Sequence, residues 1–274
     1  MKKYLVIGNP IEHSLSPKLH NYWIKKNKID AVYDKKLINE ADIEDLIFQV
    51  KKENISGINV TVPFKKKVIS FVDELTSEAN ESQSINTIYK ENDKVIGHNT
   101  DMAGFELGLR HVNYNVKDKK IFILGAGGVV SSMILVLKKM GASKIILSNR
   151  TKKKAEDLKK SFSYLEIIDW GKTPDFDMII NATSLGLNNN DEIKLNYTDI
   201  GVNKFFYDVI YNPKQTKFLL DAKKFGNQTE NGKMMFIYQA HQSFTIWHKI
   251  MPKIDEETIK LLVIIQIWQD LNLD

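Results

Sequence analysis

Cysteine is absent from all 274 residues, which excludes disulfides and thiolate metal sites. The six histidines show no close ligand spacing, so neither a structural metal nor a catalytic zinc is expected. Long apolar runs are also missing. Tyr4–Ile7 is cut off by Gly8, Asn9 and Pro10, and Leu261–Ile265 falls far short of the roughly 20 residues that span a bilayer. With neither a signal-peptide core nor a membrane span, a cytoplasmic protein with no membrane partner is expected. No low-complexity linker interrupts the chain, and nothing repeats beyond the recurrence of αβ units.

The residues that are present, 43% of them hydrophobic, are enough for a substantial core divided between two domains. The net charge of +5 raises the question of nucleic acid, yet the lysines are scattered rather than blocked together. That pattern reads as a solvated surface, and no nucleic-acid partner is expected.

Apolar stretches at Tyr4–Ile7, Ala31–Lys36, Ile58–Val62, Ile85–Tyr89 and Val95–Asn99 read as strands, with helices between them. Pro17 suits the first turn of a helix running toward Lys28, and Asn39 is placed to cap the amphipathic stretch Ile43, Leu46, Ile47, Val50. A second series begins near Lys120, with strands at Ile121–Leu124, Ile145–Ser148, Met178–Asn181 and Phe205–Val209. Its alternation with helices predicts a parallel sheet. The stretch Met102–Val112 reads as a helix bridging the domains. Helical spacing returns around Met234–Ile250 and Asp255–Leu271, segments able to pack back on the first domain. The fold class is therefore α/β. An N-terminal α/β substrate domain (1–101, completed by about 240–274) precedes a Rossmann-like nucleotide domain with a parallel sheet (102–239).

The nucleotide reading rests on Gly125, Ala126, Gly127, Gly128 and Val129, which follow the strand Ile121–Leu124 and open a helix. Glycine there lets backbone approach a pyrophosphate at the positive end of the helix. Val130 stands where the G-x-G-x-x-G pattern expects a third glycine or alanine, and predicts a slightly wider helix-to-strand spacing. One more absence then selects the cofactor. The next strand ends without the Asp or Glu that binds a ribose diol, and Asn149, Arg150 and Thr151 lead instead into Lys152, Lys153 and Lys154. NADP is favoured over NAD.

Several polar clusters sit at strand ends. Ser14 and Ser16 precede Pro17, and capping of the helix accounts equally well for Ser16 but not for Ser14. Asn59 and Thr61 share one side of an alternating stretch that ends in Pro63 and Lys65; a solvent-facing strand side is the competing explanation. Spacing alone does not distinguish Lys65 from Lys66 and Lys67. Asn86 and Thr87 open one strand, and Asn99, Thr100 and Asp101 close another. Taken alone, Thr100 and Asp101 read as the start of a helix.

Together these segments, with Asn181 to Ser184, Asp208 to Pro213 and Gly232 to Ala240, closely resemble the shikimate dehydrogenase family in order and spacing across nearly the whole chain. The resemblance implies NADPH-dependent, reversible reduction of 3-dehydroshikimate to shikimate in aromatic amino-acid and chorismate biosynthesis. It implies that Ser14 and Ser16 bind the substrate carboxylate, and that Asn59, Thr61, Asn86 and Gln239 join Lys65 and Asp101 around the hydroxyls. Lys65 and Asp101 become the catalytic candidates. Tyr211 is placed by the substrate, and Gly232 near the nicotinamide with Val209 and Met235. Asn149, Arg150, Thr151 and Lys154 are assigned to the adenosine phosphate. Gln242 is the rival to Gln239, rejected because Met234–Gln239 gives the better register. The partner is a small molecule, and the protein a monomer or homodimer. Two alternatives stay open: a quinate/shikimate dehydrogenase with relaxed cofactor use, and a non-catalytic NADP-binding regulator. Arg150 argues against the first; the presence of both Lys65 and Asp101 argues against the second.

Overall fold

The computed structural model describes residues 1–188 and 191–262. The chain divides into two compact units: Met1–Gly104 with the described residues from Ile237 on, and Phe105–Phe236.

The first unit carries strands β1 (Lys2–Gly8), β2 (Ala31–Leu37), β3 (Gly57–Val60), β4 (Glu74–Leu75), β5 (Thr87–Glu91) and β6 (Lys94–His98). Its helices are α1 (Ser16–Lys26), α2 (Ile43–Lys51), α3 (Ser77–Ser82) and the start of α4 (Asp101–His111). The sheet order is β2-β1-β3-β5-β6-β4. β1 pairs parallel with β2 and β3, while β5 pairs antiparallel with β3 and β6. Ile7, Ile58, Val60, Ile85, Ile88 and Val95 form its core with Ile43, Leu46, Ile47 and Val50, the apolar stripe of α2. Asn39 precedes a short 3₁₀ turn (Glu40–Asp42) rather than α2 itself, and its backbone N–H donates to the Asp42 carboxylate at 2.7 Å.

The second unit has an all-parallel sheet of β7 (Lys120–Leu124), β8 (Lys144–Ser148), β9 (Glu166–Ile167), β10 (Met178–Asn181), β11 (Phe205–Asp208) and β12 (Gln228–Asn231). Its order is β12-β11-β10-β7-β8-β9, which places the topological switch between β7 and β10, where strand order reverses. Helices α5 (Val130–Lys139), α6 (Lys152–Ser161), the single turn α7 (Tyr197–Ile200) and α8 (Lys217–Lys224) connect the strands. Val130 is wholly buried in this core. Then α9 (Lys233–His248) carries the chain into the first unit, where α10 (Glu256–Leu261) follows. The last part of the helical stretch expected over Asp255–Leu271 lies outside the described residues.

Three strands lack any sequence signal. β4 and β9 have two residues each, and β12 reads Gln-Thr-Glu-Asn with no apolar alternation. Thr61 lies just past β3, because pairing stops at Val60.

Candidate active site

Pairing direction assembles the site of the first unit. β1 and β3 run parallel, so their carboxyl ends lie at one sheet edge. β5 runs antiparallel to β3, so its amino end returns to that edge, and β6 turns back to end there too, with Thr87 opposite both Asn59 and His98. Ser14, Thr61, Lys65, Asn86 and Asp101, far apart in sequence, thus flank one edge, where open α/β sheets bind ligands. Close approach requires Gly8: a Cβ there would lie 2.6 Å from Thr61 Cγ2.

Lys65 Nζ sits 2.6 Å from Asp101 Oδ2, with only 13% and 7% of the two side chains exposed. Lys66 and Lys67 are exposed, and Lys67 pairs with Glu40. Burial and a carboxylate partner therefore separate Lys65 from its neighbours, a distinction that spacing could not make. The second Asp101 oxygen accepts from Asn86 Nδ2 at 2.9 Å, and that amide lies 3.4 Å from Gln239 Oε1. The carboxylate is free for these contacts because Asn99, not Thr100 or Asp101, caps α4: its Oδ1 accepts from the backbone N–H groups of Asp101 and Met102 at 2.9 and 3.3 Å. Thr100 instead donates its backbone N–H to Asn86 Oδ1 at 2.8 Å. The helix does start at Asp101, as the sequence suggests, but the capping role expected of Thr100 and Asp101 falls to Asn99.

The capping alternative for Ser16 is corrected as well. Leu15 holds the N-cap position of α1 with no side-chain cap bond, and Ser14 Oγ lies 3.4 Å from the Ser16 N–H it accepts. Ser16 is buried, and so is the Tyr33 phenol, whose pKa burial pushes well above the usual value. Sequence reasoning missed Tyr33 and Ser243. Tyr33 reads as one more residue of strand β2, and Ser243 as one small residue in α9. No local signal marks either of them.

In the second unit, the chain leaves β7 through Gly125 at φ +113°, where a Cβ would lie 2.6 Å from Ala182 O. A Cβ on Gly127 would meet nothing within 4 Å, and α5 starts at Val130 with no side-chain cap. This is the open, glycine-lined helix entry that a pyrophosphate requires. At the end of β8, Asn149 Nδ2 donates to Thr151 O at 2.8 Å, and Arg150, Thr151 and Lys154 are exposed. The residues that leave the strand, Asn149, Arg150 and Thr151, include no acid, and Asp169 is held by Lys152 at 2.7 Å, so the residues present fit a 2′-phosphorylated nucleotide. Gly232 passes so close to Val209 that a Cβ would lie 2.1 Å from its carbonyl oxygen. Tyr211 stacks on Phe236 at 4.4 Å between centroids, and Met235 is buried.

Asp208, at the end of β11, entered the sequence reading only as part of a motif and was given no role. Burial raises its pKa to about 6, against hydrogen bonds from Thr216 Oγ1 (2.6 Å), the Ile210 N–H (3.0 Å) and Asn181 Nδ2 (3.0 Å). It ties together the loops after β10 and β11. Among the described residues, no group of histidines and carboxylates is arranged to hold a metal, and no helix is long and apolar enough to cross a membrane.

A dinucleotide-binding unit joined to a unit with a buried lysine–carboxylate pair at its sheet edge defines the class of nicotinamide-nucleotide dehydrogenases. Comparison narrows the class. Residues 6–88 match the profile of the shikimate dehydrogenase substrate binding domain, and 106–189 that of shikimate/quinate 5-dehydrogenase. The chain is 64% identical over 261 residues to the shikimate dehydrogenase (NADP+) of Pelagibacter ubique, covering 95% of this chain and 98% of that one. A crystal structure of a shikimate dehydrogenase in complex with NADP+ superposes with a TM-score of 0.89 at 34% identity, covering 97% and 96% of the two chains. The shikimate dehydrogenase of Aquifex aeolicus gives 0.87 at 36% identity, covering 96% and 97%. The chain belongs to the shikimate dehydrogenase family.

Proposed function

We infer that this chain is an NADP-dependent shikimate dehydrogenase, catalysing the reversible reduction of 3-dehydroshikimate to shikimate in aromatic amino-acid biosynthesis. The observation that carries the reading is the buried Lys65–Asp101 pair, coupled through Asn86 to a set of hydroxyl and amide groups at one sheet edge. Such groups suit a small polyhydroxylated acid. When bound, NADP(H) supplies or receives the hydride.

Charge develops on the substrate oxygen during reduction. The Lys65 ammonium stabilises that oxygen and donates a proton to it; in the oxidation direction the Lys65 amine takes the proton back. Asp101, within hydrogen-bond reach of Lys65, orients the ammonium and accepts from a substrate hydroxyl. Ser14 and Ser16 bind the carboxylate. Thr61, Asn86 and Gln239 hold the hydroxyls and Tyr211 contacts the substrate, while Asn59, expected among them, stands behind with its amide bonded to Tyr33, Asn86 O and Ser243. Gly125 to Val129 receive the pyrophosphate, while Asn149, Arg150, Thr151 and Lys154 hold the ribose phosphate. Val209, Gly232 and Met235 are assigned to the nicotinamide. The reading includes cytoplasmic location and a monomeric or homodimeric state.

Initial rates with shikimate or quinate, each with NADP or NAD, test the assignment. NADPH formation with shikimate is expected. Equal turnover with quinate and NAD would point to the relaxed enzyme, and tight NADP binding without turnover to a regulator.

A further inference from the structure

One buried amide lies behind the substrate edge and has its polar groups committed. Asn59 is 6% exposed, and its Oδ1 accepts from the Tyr33 hydroxyl at 2.7 Å. Its Nδ2 faces Asn86 O at 2.9 Å, Ser243 Oγ at 3.0 Å and Thr87 Oγ1 at 3.1 Å. An amide with a donor on its oxygen and acceptors around its nitrogen has one orientation, because a flip would set oxygen against oxygen. Tyr33 provides that donor, and Ser243 one of the acceptors. Ser243 is itself wholly buried; its hydroxyl donates to Gln239 O at 3.0 Å and lies 2.9 Å from Thr87 Oγ1.

From Asn59 a continuous set of bonds leads to the reacting groups. Asn59 holds the carbonyl of Asn86; the Asn86 side chain donates to Asp101 Oδ1 at 2.9 Å, and Asp101 Oδ2 meets Lys65 Nζ at 2.6 Å. At its other end Tyr33 stacks on His20, ring centroids 4.2 Å apart and ring planes nearly parallel at 5°. The ring is thus clamped by aromatic packing, and its hydroxyl has one proton to give.

We propose that Tyr33 and Ser243 are positioning residues for the dehydrogenase reaction, fixing the Asn59 amide from opposite sides and, through Asn86, the angle at which Asp101 presents Lys65. Neither need touch substrate. The inference rests on the proposed shikimate dehydrogenase reading and extends it to residues that line no strand end.

A double-mutant cycle tests it: Tyr33→Phe, Asn59→Ala and the pair, with kcat and KM for shikimate, the pH profile of kcat and the Kd for NADP. Phe keeps the stack on His20 and removes only the hydroxyl. Tyr33→Phe is expected to lower kcat/KM for shikimate at least tenfold and to shift the pH profile of kcat, with NADP affinity unchanged. In the Asn59→Ala background it should produce less than a twofold further loss. Independent, multiplying losses, or unchanged kcat/KM in Tyr33→Phe, would overturn the proposal. Should Tyr33→Phe fail to fold, Ser243→Ala in the same cycle with Asn59→Ala replaces it, with the same expected and contrary results. Absence of wild-type turnover with shikimate would defeat the functional reading itself, an outcome distinct from additivity in the cycle.

Discussion

The two units solve the problem of holding a polar ligand by different physical means. In the first, the candidate groups are side chains, buried and bonded to one another: Lys65, Asp101, Asn86 and Asn59 each have fixed partners. In the second, the candidate site is mostly backbone and solvent-facing charge, with a glycine turn at a helix entry and an exposed Arg150. On the proposed reading, the first arrangement pre-organises a proton donor and the second leaves room for a large anion. Damage to one should therefore appear in turnover, and damage to the other in cofactor affinity.

The sharpest way to break this contrast is Lys65→Ala. Loss of general acid–base catalysis should lower kcat by about 10²- to 10⁴-fold. NADP binding, followed by nucleotide fluorescence titration, should be unchanged.

The units also differ in how pH acts on their buried titratable groups. His20 in the first unit is buried among aromatic rings, with both ring nitrogens unpartnered, and its pKa falls to about 3. Between that value and its ordinary 6.5 the unfolded chain binds the extra proton, so this contribution is lost as pH falls through the window. Asp208 in the second unit goes the other way: with its pKa raised to about 6 from 3.8, the folded state holds the extra proton, and stability falls as pH rises through that window. His20→Phe should remove about 3 kcal/mol of acid sensitivity near pH 4, and Asp208→Asn a slope of about 3 kcal/mol in the opposite sense. Urea unfolding from pH 4 to pH 7 measures both; slopes of the same sign would refute the contrast.

Smaller again is the effect of Arg150→Ala. Losing a charge-assisted bond of about 1.5 to 3 kcal/mol should raise KM for NADP roughly tenfold to 150-fold, leaving kcat and KM for NAD nearly unchanged. The smallest effect is expected from Asn99→Ala, which removes the cap of α4. Because the same amide donates to Ser82 Oγ and Ser84 O, the variant should lose about 1 to 3 kcal/mol in the same unfolding assay, yet kcat should fall less than tenfold, since Asp101 keeps Asn86 and Lys65 as partners.

Much of this was legible in the residues. The apolar strands that enter the cores, the glycine turn and the missing acid before Arg150 follow from local pattern, because each is contained within a few consecutive positions. Site residues that depend on pairing were not separable in that way. Lys65 differs from Lys66 through Asp101, 36 residues on, and only the antiparallel return of β5 and β6 brings that carboxylate to it. Tyr33, Ser243 and Asp208 are buried in the core, where a polar residue in an apolar element gives no periodic signal. The polar strand β12 was missed for the converse reason, since its pairing with β11 is made by backbone alone.

The most direct test of the division of labour is to measure kcat with shikimate and Kd for NADP side by side in Lys65→Ala and Arg150→Ala. The account predicts that the lysine variant loses turnover and keeps cofactor affinity, and that the arginine variant loses affinity and keeps turnover at saturating NADP. If either variant lost both to a similar degree, proton transfer and cofactor selection would not be separate properties of the two units, and the account would be wrong.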